Sequence, residues 1–257
     1  MLSPIGTLYR ANKDGILPRT GVAPTGQLAA LLERAVQDIL DQDLANLTSI
    51  LIRGSAARGQ IDWPIADYDF VLLFDRDTAP KVNFTPSSLQ GQDVEFLCLP
   101  RARFLSATNY ARLRAFLAFC HWPLWGEDIA ALLPDPKLDK DMLGHLPRLD
   151  HWFDGWQQDL ASCKTPQARK EFCQWMMKRL VRSLLESLAI KYGAYSRDIY
   201  PCARFSSDHF PEAESDIMRA AELAVFPSDK AALISEIIHA LTPLIQQRFV
   251  ALLGHVR

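Results

Sequence analysis

The chain has no excess of base over acid: 28 lysines and arginines face 30 aspartates and glutamates, for a net charge of -2. That removes the usual footprint of a protein built for long nucleic acids, though not a local basic groove. It has five cysteines (Cys98, Cys120, Cys163, Cys173, Cys202) but no Cys-x-x-Cys pair. An odd, scattered set excludes a disulfide framework and suits a reducing cytoplasm. No apolar run approaches the roughly 18 residues of a membrane span. The N-terminus lacks a charged segment followed by an apolar one, so no signal peptide is expected and the expected location is cytoplasmic. His121, His145, His151, His239 and His255 show no metal spacing with the cysteines, which argues against zinc. Gly54 to Gly59 is not followed by Lys-Ser/Thr, so it is no Walker loop. No Gly-x-Ser-x-Gly elbow exists, which argues against serine hydrolysis.

What is present reads as a folded protein of two halves. The hydrophobic fraction of 49% and charged fraction of 23% are ordinary for a globular chain. Residues 1–25 read as irregular. Gln27 to Asp43 carries Leu28, Leu31, Leu32, Ala35, Ile39 and Leu40 at helical spacing, with Thr25 or Gly26 as its cap. Three strands follow, at Thr48–Arg53, Asp67–Phe74 and Val94–Leu99, with turn formers and room for an edge strand over 75–92. Residues 101–119 read as helical, and Trp122–Asp128 as a short extended piece with a turn. Beyond about residue 136 no good strand remains. Helices are expected over 167–192, 212–225 and 229–253, the last with an apolar stripe and Pro243 inside it. The boundary falls near Leu133-Pro134-Asp135-Pro136. This predicts an α/β (α+β) domain over 1–135, a mixed sheet flanked by helices, followed by an all-helical bundle over 136–257.

The most informative stretch is Gly54-Ser55-Ala56-Ala57-Arg58-Gly59, seven residues, then Asp67-Tyr68-Asp69 at the head of the run Phe70–Phe74. Residues two apart in a strand share a face, so the two carboxylates stand side by side. Such like charges repel unless a cation sits between them. Adjacent hard oxygens, completed by phosphate oxygens, are what Mg²⁺ prefers. Aspartate is a poor strand former, so two at a strand's mouth suggest a ligand end. Glu95 brings a third carboxylate on the next strand. Asp93 competes with it, but the apolar flanks Val94 and Phe96 favour Glu95.

This pattern resembles the nucleotidyltransferase superfamily that includes DNA polymerase β and the aminoglycoside nucleotidyltransferases. The matching parts are Ile50-Leu51-Ile52-Arg53-Gly54-Ser55, Asp67-Tyr68-Asp69 and Val94-Glu95-Phe96, within residues 27–130. The resemblance implies that Asp67 and Asp69 hold Mg²⁺ on the phosphates of a nucleoside triphosphate. It implies that Gly54 and Ser55, with Arg58 on the same turn, contact those phosphates. Glu95 would be a third metal ligand or a general base toward an acceptor hydroxyl. The chain departs from the family at Ala66, where serine is frequent, and in a turn insert holding Trp63 and Pro64.

In the helical half, Lys178 and Arg182 share a helix face at i, i+4, a placement that suits phosphates or a solvated surface. The segment Gly193-Ala194-Tyr195-Ser196-Arg197-Asp198 is similar to a loop of the aminoglycoside adenylyltransferases, which gives Arg197 a phosphate-binding role and leaves Asp198 to cap the next helix or orient Arg197. Arg204 and His209 have the spacing of the HEPN ribonucleases, but Phe205 stands where that motif wants a polar residue. The tryptophans Trp122, Trp125, Trp152, Trp156 and Trp175 are expected mainly in the core.

The expected reaction is Mg²⁺-dependent transfer of a nucleoside monophosphate, AMP from ATP, to a hydroxyl of a small molecule, with pyrophosphate leaving. An aminoglycoside-like acceptor would need an acidic pocket, for which Glu127, Asp128, Glu171 and Glu186 are candidates. A tRNA or protein acceptor is the enzymatic alternative. A non-catalytic nucleotide-binding or antitoxin-like module is the other class. No membrane partner is expected. The site is expected in a cleft between the two domains.

Overall fold

The computed structural model describes residues 4–59, 67–144 and 155–253. The chain divides into two compact units: Ile16–Lys137, and the residues up to Gly15 together with those from Leu138 onward.

The first unit is built on a four-stranded mixed sheet. Helix α1 (Gly26–Leu40) buries Leu28, Leu32, Ala35 and Ile39, the three-to-four spacing read from the sequence. Thr25 sits at its N-cap position without a side-chain cap bond. Strand β2 (Leu47–Arg53) leads into the single turn α2 (Gly54–Ala57). Strands β3 (Tyr68–Phe74) and β4 (Val94–Pro100) follow. Between them no edge strand forms, only the short 3₁₀ turn Ser87–Leu89. The helical stretch expected over 101–119 is made of two helices, α3 (Arg101–Ser106) and α4 (Ala111–Phe119), joined by a 3₁₀ turn.

The extended piece after α4 is a full strand, β5 (His121–Gly126), on the open edge of β2. The sheet order is β4-β3-β2-β5, with β3 and β4 parallel and the other neighbours antiparallel. Leu51, Val71, Leu73 and Leu99 from one sheet face pack with Phe104, Leu117, Ala118, Ile129 and Leu133. On the opposite face Phe70, Phe96 and Phe84 stack in series, with centroids 5.4 and 5.3 Å apart. β3 is buried on both faces, as a central strand must be, which is why it reads as a continuous apolar run.

The second unit is helical. It comprises α5 (Trp156–Ser162), α6 (Pro166–Tyr192), α7 (Ile199–His209), α8 (Glu214–Val225) and α9 (Ala231–Leu253). Thr165 caps α6 by accepting the Ala168 N–H, and Pro166 occupies its first turn. Gly193 ends α6 at φ 59°, a left-handed turn that suits glycine. The second half of α6, Ser183 to Ala189, is buried all round, so this helix is the unit's axis rather than an amphipathic shell. Pro243 lies within α9 without ending it.

The N-terminal residues join this unit through a two-stranded sheet. β1 (Tyr9–Arg10) pairs antiparallel with β6 (Ala194–Tyr195). The Asp198 carboxylate accepts the Thr7 N–H at 2.9 Å, and the Ser196 hydroxyl donates to the Thr7 carbonyl at 2.7 Å. The sequence division, which kept residues 1–15 with the sheet, differs here because this pairing is invisible to local pattern. Among the described residues no helix is long and apolar enough to cross a membrane.

Candidate functional site

Three strands bring a polar row to one sheet face. Leu51, Val71, Leu73 and Leu99 mark the face covered by α3 and α4. Alternation puts Arg53, Asp69 and Glu95 on that same face, beyond the apolar residues. Register then aligns them: Arg53 pairs with Asp69 across β2–β3, and Asp69 with Glu95 across β3–β4. Asp67, just ahead of β3, continues the alternation and is exposed. Of the two acidic residues weighed on β4, register favours Glu95, which stands directly opposite Asp69; Asp93 instead accepts the Tyr68 N–H through its carbonyl at 2.8 Å.

The turn beside this row is tightly set. Gly54 has φ 77°, and a Cβ placed on it would lie 3.1 Å from Asp69 Oδ2. Glycine therefore supplies both the left-handed backbone and the room for the carboxylate. The buried Cys120 thiol donates to the Gly54 carbonyl at 3.3 Å, and the Arg58 guanidinium reaches Cys120 Sγ at 3.8 Å. Arg58 is half-buried at the end of α2, and Ser55 is half-buried within it. His121, the register partner of Arg53 on β5, is buried; its Nδ1 meets the Leu117 carbonyl and its Nε2 lies 3.8 Å from Asp128. Burial holds this imidazole below its ordinary pKa, against the pull of the Leu117 carbonyl and Asp128.

A cation already stands in the row. One terminal nitrogen of Arg53 donates to Asp69 Oδ1 at 3.1 Å and to Glu95 Oε2 at 3.2 Å. The Asp69 side chain is 17% exposed, that of Glu95 64%. Burial pushes the Asp69 carboxyl up to about 7, against the lowering effect of Arg53, with Asp67 and Glu95 adding to the rise. Desolvation and like charge thus outweigh the one guanidinium.

Among the described residues, no three His, Cys, Asp or Glu side chains are gathered closely enough to hold a metal ion. Two members of the three-carboxylate set expected for Mg²⁺, Asp69 and Glu95, are instead bridged by Arg53. The donor set nonetheless suits a hard cation: carboxylate oxygens on adjoining strands, one of them buried and under-compensated.

The expected basic residues of the helical half lie in the other unit. Lys178 and Arg182 are half-buried on α6, and Arg182 Nε donates to the Arg197 carbonyl at 3.0 Å. Arg182 and Arg197 are brought together there, near the buried Glu186, Tyr195 and Cys202. Glu186 accepts the Gly144 N–H at 3.1 Å and so is no open acceptor for a polycation. Glu127 is matched by both arms of Arg101 at 2.7 Å, and Glu171 accepts from Gln167. Asp198 begins α7 but makes no side-chain cap bond. Arg204 pairs with Asp208 and Glu214, while His209 packs against Tyr192 and Phe205. Trp156 is core, but Trp125 and Trp175 are 38% and 39% exposed, and the Arg179 guanidinium covers the Trp175 ring at 3.9 Å. Trp63, Pro64, Ala66, His145, His151, Trp152 and His255 lie outside the described residues.

Sequence reasoning missed Arg53, Cys120 and His121. The signal for Arg53 was its place: the last residue of a strand antiparallel to the aspartate strand, one step before the glycine turn.

No family model matches the chain, and no curated protein does. Among solved structures, it is similar to spectinomycin adenyltransferase AAD(9) from Enterococcus faecialis, solved with ATP and spectinomycin. The identity is 11% and the TM-score 0.47, with 83% of this chain and 98% of that chain covered.

Proposed function

We propose that this protein is a Mg²⁺-dependent nucleotidyltransferase that moves AMP from ATP to a hydroxyl of a small-molecule acceptor. One observation carries the reading: Asp69 and Glu95 stand opposite each other on the sheet face that the Gly54-Ser55 turn borders, with Asp69 against Gly54 and Asp67 close enough to act on its charge. Phosphoryl chemistry needs that pairing of an anion cradle with carboxylates able to hold a counter-cation.

Asp67 and Asp69 are the residues that would hold Mg²⁺, with Glu95 as a third carboxylate. When bound, the ion would neutralise phosphate charge and align the reacting groups. The chain's own residues do the rest. The Gly54-Ser55 backbone and the Ser55 hydroxyl receive the terminal phosphates. Arg58 holds the turn through Cys120 and adds positive charge beside it. Glu95, exposed and reachable, takes the proton from the acceptor hydroxyl. The acceptor oxygen forms its bond to the α-phosphorus as the bond to pyrophosphate breaks.

A second reading is favoured by Arg53, which already fills the place of a cation between two carboxylates. In it the chain is a nucleotide-binding module without transfer chemistry. Pyrophosphate release separates the two. Wild type and the Asp67→Ala and Asp69→Ala variants are incubated with ATP, CTP, GTP or UTP, Mg²⁺ and a panel of hydroxyl acceptors. Metal-dependent release lost in both variants supports transfer. Nucleotide binding without release under any acceptor supports the second reading, and turnover that survives both substitutions sinks the site.

A further inference from the structure

We infer that Arg53 is an exchangeable internal counter-ion that competes with the metal for Asp69 and Glu95. The inference rests on the proposed metal-dependent reading of this site and assigns a role to a residue that reading does not need.

The geometry is that of a stand-in rather than a fixed ion pair. A structural arginine commonly uses its planar fork, two nitrogens on two oxygens of one carboxylate. Arg53 instead shares a single terminal nitrogen between two carboxylates, at 3.1 and 3.2 Å. Its Nε is buried without a hydrogen-bond partner. The contrast lies in the same unit, where Arg101 places two nitrogens on Glu127 at 2.7 Å each. Longer, shared contacts with an unused donor make Arg53 poorly satisfied where it stands.

The two arms also differ in how readily they release. Glu95 is largely solvated, and exposed pairs hold weakly. Asp69 is mostly buried, and removing the Arg53 guanidinium, its one ion-pair partner among the described residues, would leave the carboxylate uncompensated. Arg53 cannot simply leave; another cation must replace it. Position makes the exchange local. Register fixes Arg53 beside Asp69, and the next residue is Gly54 of the phosphate-facing turn. A guanidinium displaced from the carboxylates therefore has incoming phosphate oxygens beside it. The row stays assembled before the nucleotide arrives, and metal alone binds weakly because it must displace a built-in charge.

The test uses Mn²⁺ as a spin-active stand-in for Mg²⁺, since carboxylate sites accept both. Mn²⁺ binding is followed by electron paramagnetic resonance, alone and with a non-hydrolysable ATP analogue, on folded full-length protein checked by circular dichroism. Arg53→Gln should bind Mn²⁺ alone at least about 10-fold more tightly than wild type, a change of ~1.4 kcal/mol. Arg53→Lys should show a smaller gain, and it carries the test if the glutamine variant does not fold. Adding Asp69→Asn to Arg53→Gln should erase the gain. If wild type binds Mn²⁺ with the nucleotide through Asp69, yet Arg53→Gln binds the ion no more tightly, the counter-ion role is overturned and the proposed function stands. If neither protein binds Mn²⁺ with or without nucleotide, both fail together.

Discussion

Each unit of this protein keeps a set of polar groups away from water, and the two sets are treated in opposite ways. In the helical unit, Asp198 and Glu186 are buried, and each receives a backbone N–H, from Thr7 and Gly144. Arg182 in turn donates to the Arg197 carbonyl. The two carboxylates and Arg182 are each matched, although the Ser183, Ser206 and Ser207 hydroxyls of the same unit are buried without a hydrogen-bond partner. In the sheet unit, Asp69 has a shared guanidinium contact and two neighbouring carboxylates, and its carboxyl is driven up to about 7. The matched set holds a fold together. The under-matched set is where a ligand has something to supply.

The largest effect that would sharpen this contrast is on turnover. Asp69→Ala should lower nucleotidyl transfer by about 10³-fold or more, equal to roughly 4 kcal/mol of barrier. Its chemical-denaturation midpoint should fall little or rise, because a strained charge has been removed. A variant that loses turnover only by unfolding would erase the distinction between the two sets.

The mirror experiment is Glu186→Leu. Removing one member of a buried charged network should cost about 3 kcal/mol in urea unfolding. A change within about 0.5 kcal/mol would show that the helical network is not matched as its hydrogen bonds indicate.

Gly54→Ala probes the turn. The left-handed φ of 77° and the Asp69 oxygen 3.1 Å from the new methyl both oppose it. The expected cost is about 1–2 kcal/mol. Adding Asp69→Ala removes the crowding oxygen but leaves the φ strain, so a double-mutant cycle separates backbone strain from crowding.

The smallest effect is on pH dependence. The Asp69 carboxyl sits at about 7 in the folded chain, above its ordinary value of 3.8. Between those values the folded state holds the extra proton, so this group's stabilising contribution is complete at low pH. It is lost as pH rises through 7. Asp69→Asn should match wild type near pH 4 and exceed it by about 2 kcal/mol at pH 8, a part of the full linkage because the Arg53 contact goes too. Parallel denaturation curves at the two pH values that show no such divergence would remove the raised Asp69 carboxyl from the argument for the site.

Much of the candidate site was readable because its chemistry is local. The Gly54-Ser55 turn, the spacing of Asp67 and Asp69 and the apolar flanks of Glu95 are all short-range features, and the structure puts them at neighbouring strand ends. The acidic residues weighed for an acceptor pocket fared differently. Glu186 and Glu127 are alike in the sequence, yet one is buried against Gly144 and the other clasped by Arg101. Nothing within a few residues of either foretells its partner.

The sequence by itself determined three of the four sheet strands, the carboxylates on two of them and the long helix Pro166–Tyr192, because periodicity and turn chemistry act over a few residues. Only the tertiary structure decided that His121–Gly126 completes the sheet, that Tyr9–Arg10 joins the helical unit through Ala194–Tyr195, and that Arg53 stands between Asp69 and Glu95. Each of those depends on strand register. Register is a long-range choice, fixed by which faces must be buried together rather than by the residues on either side.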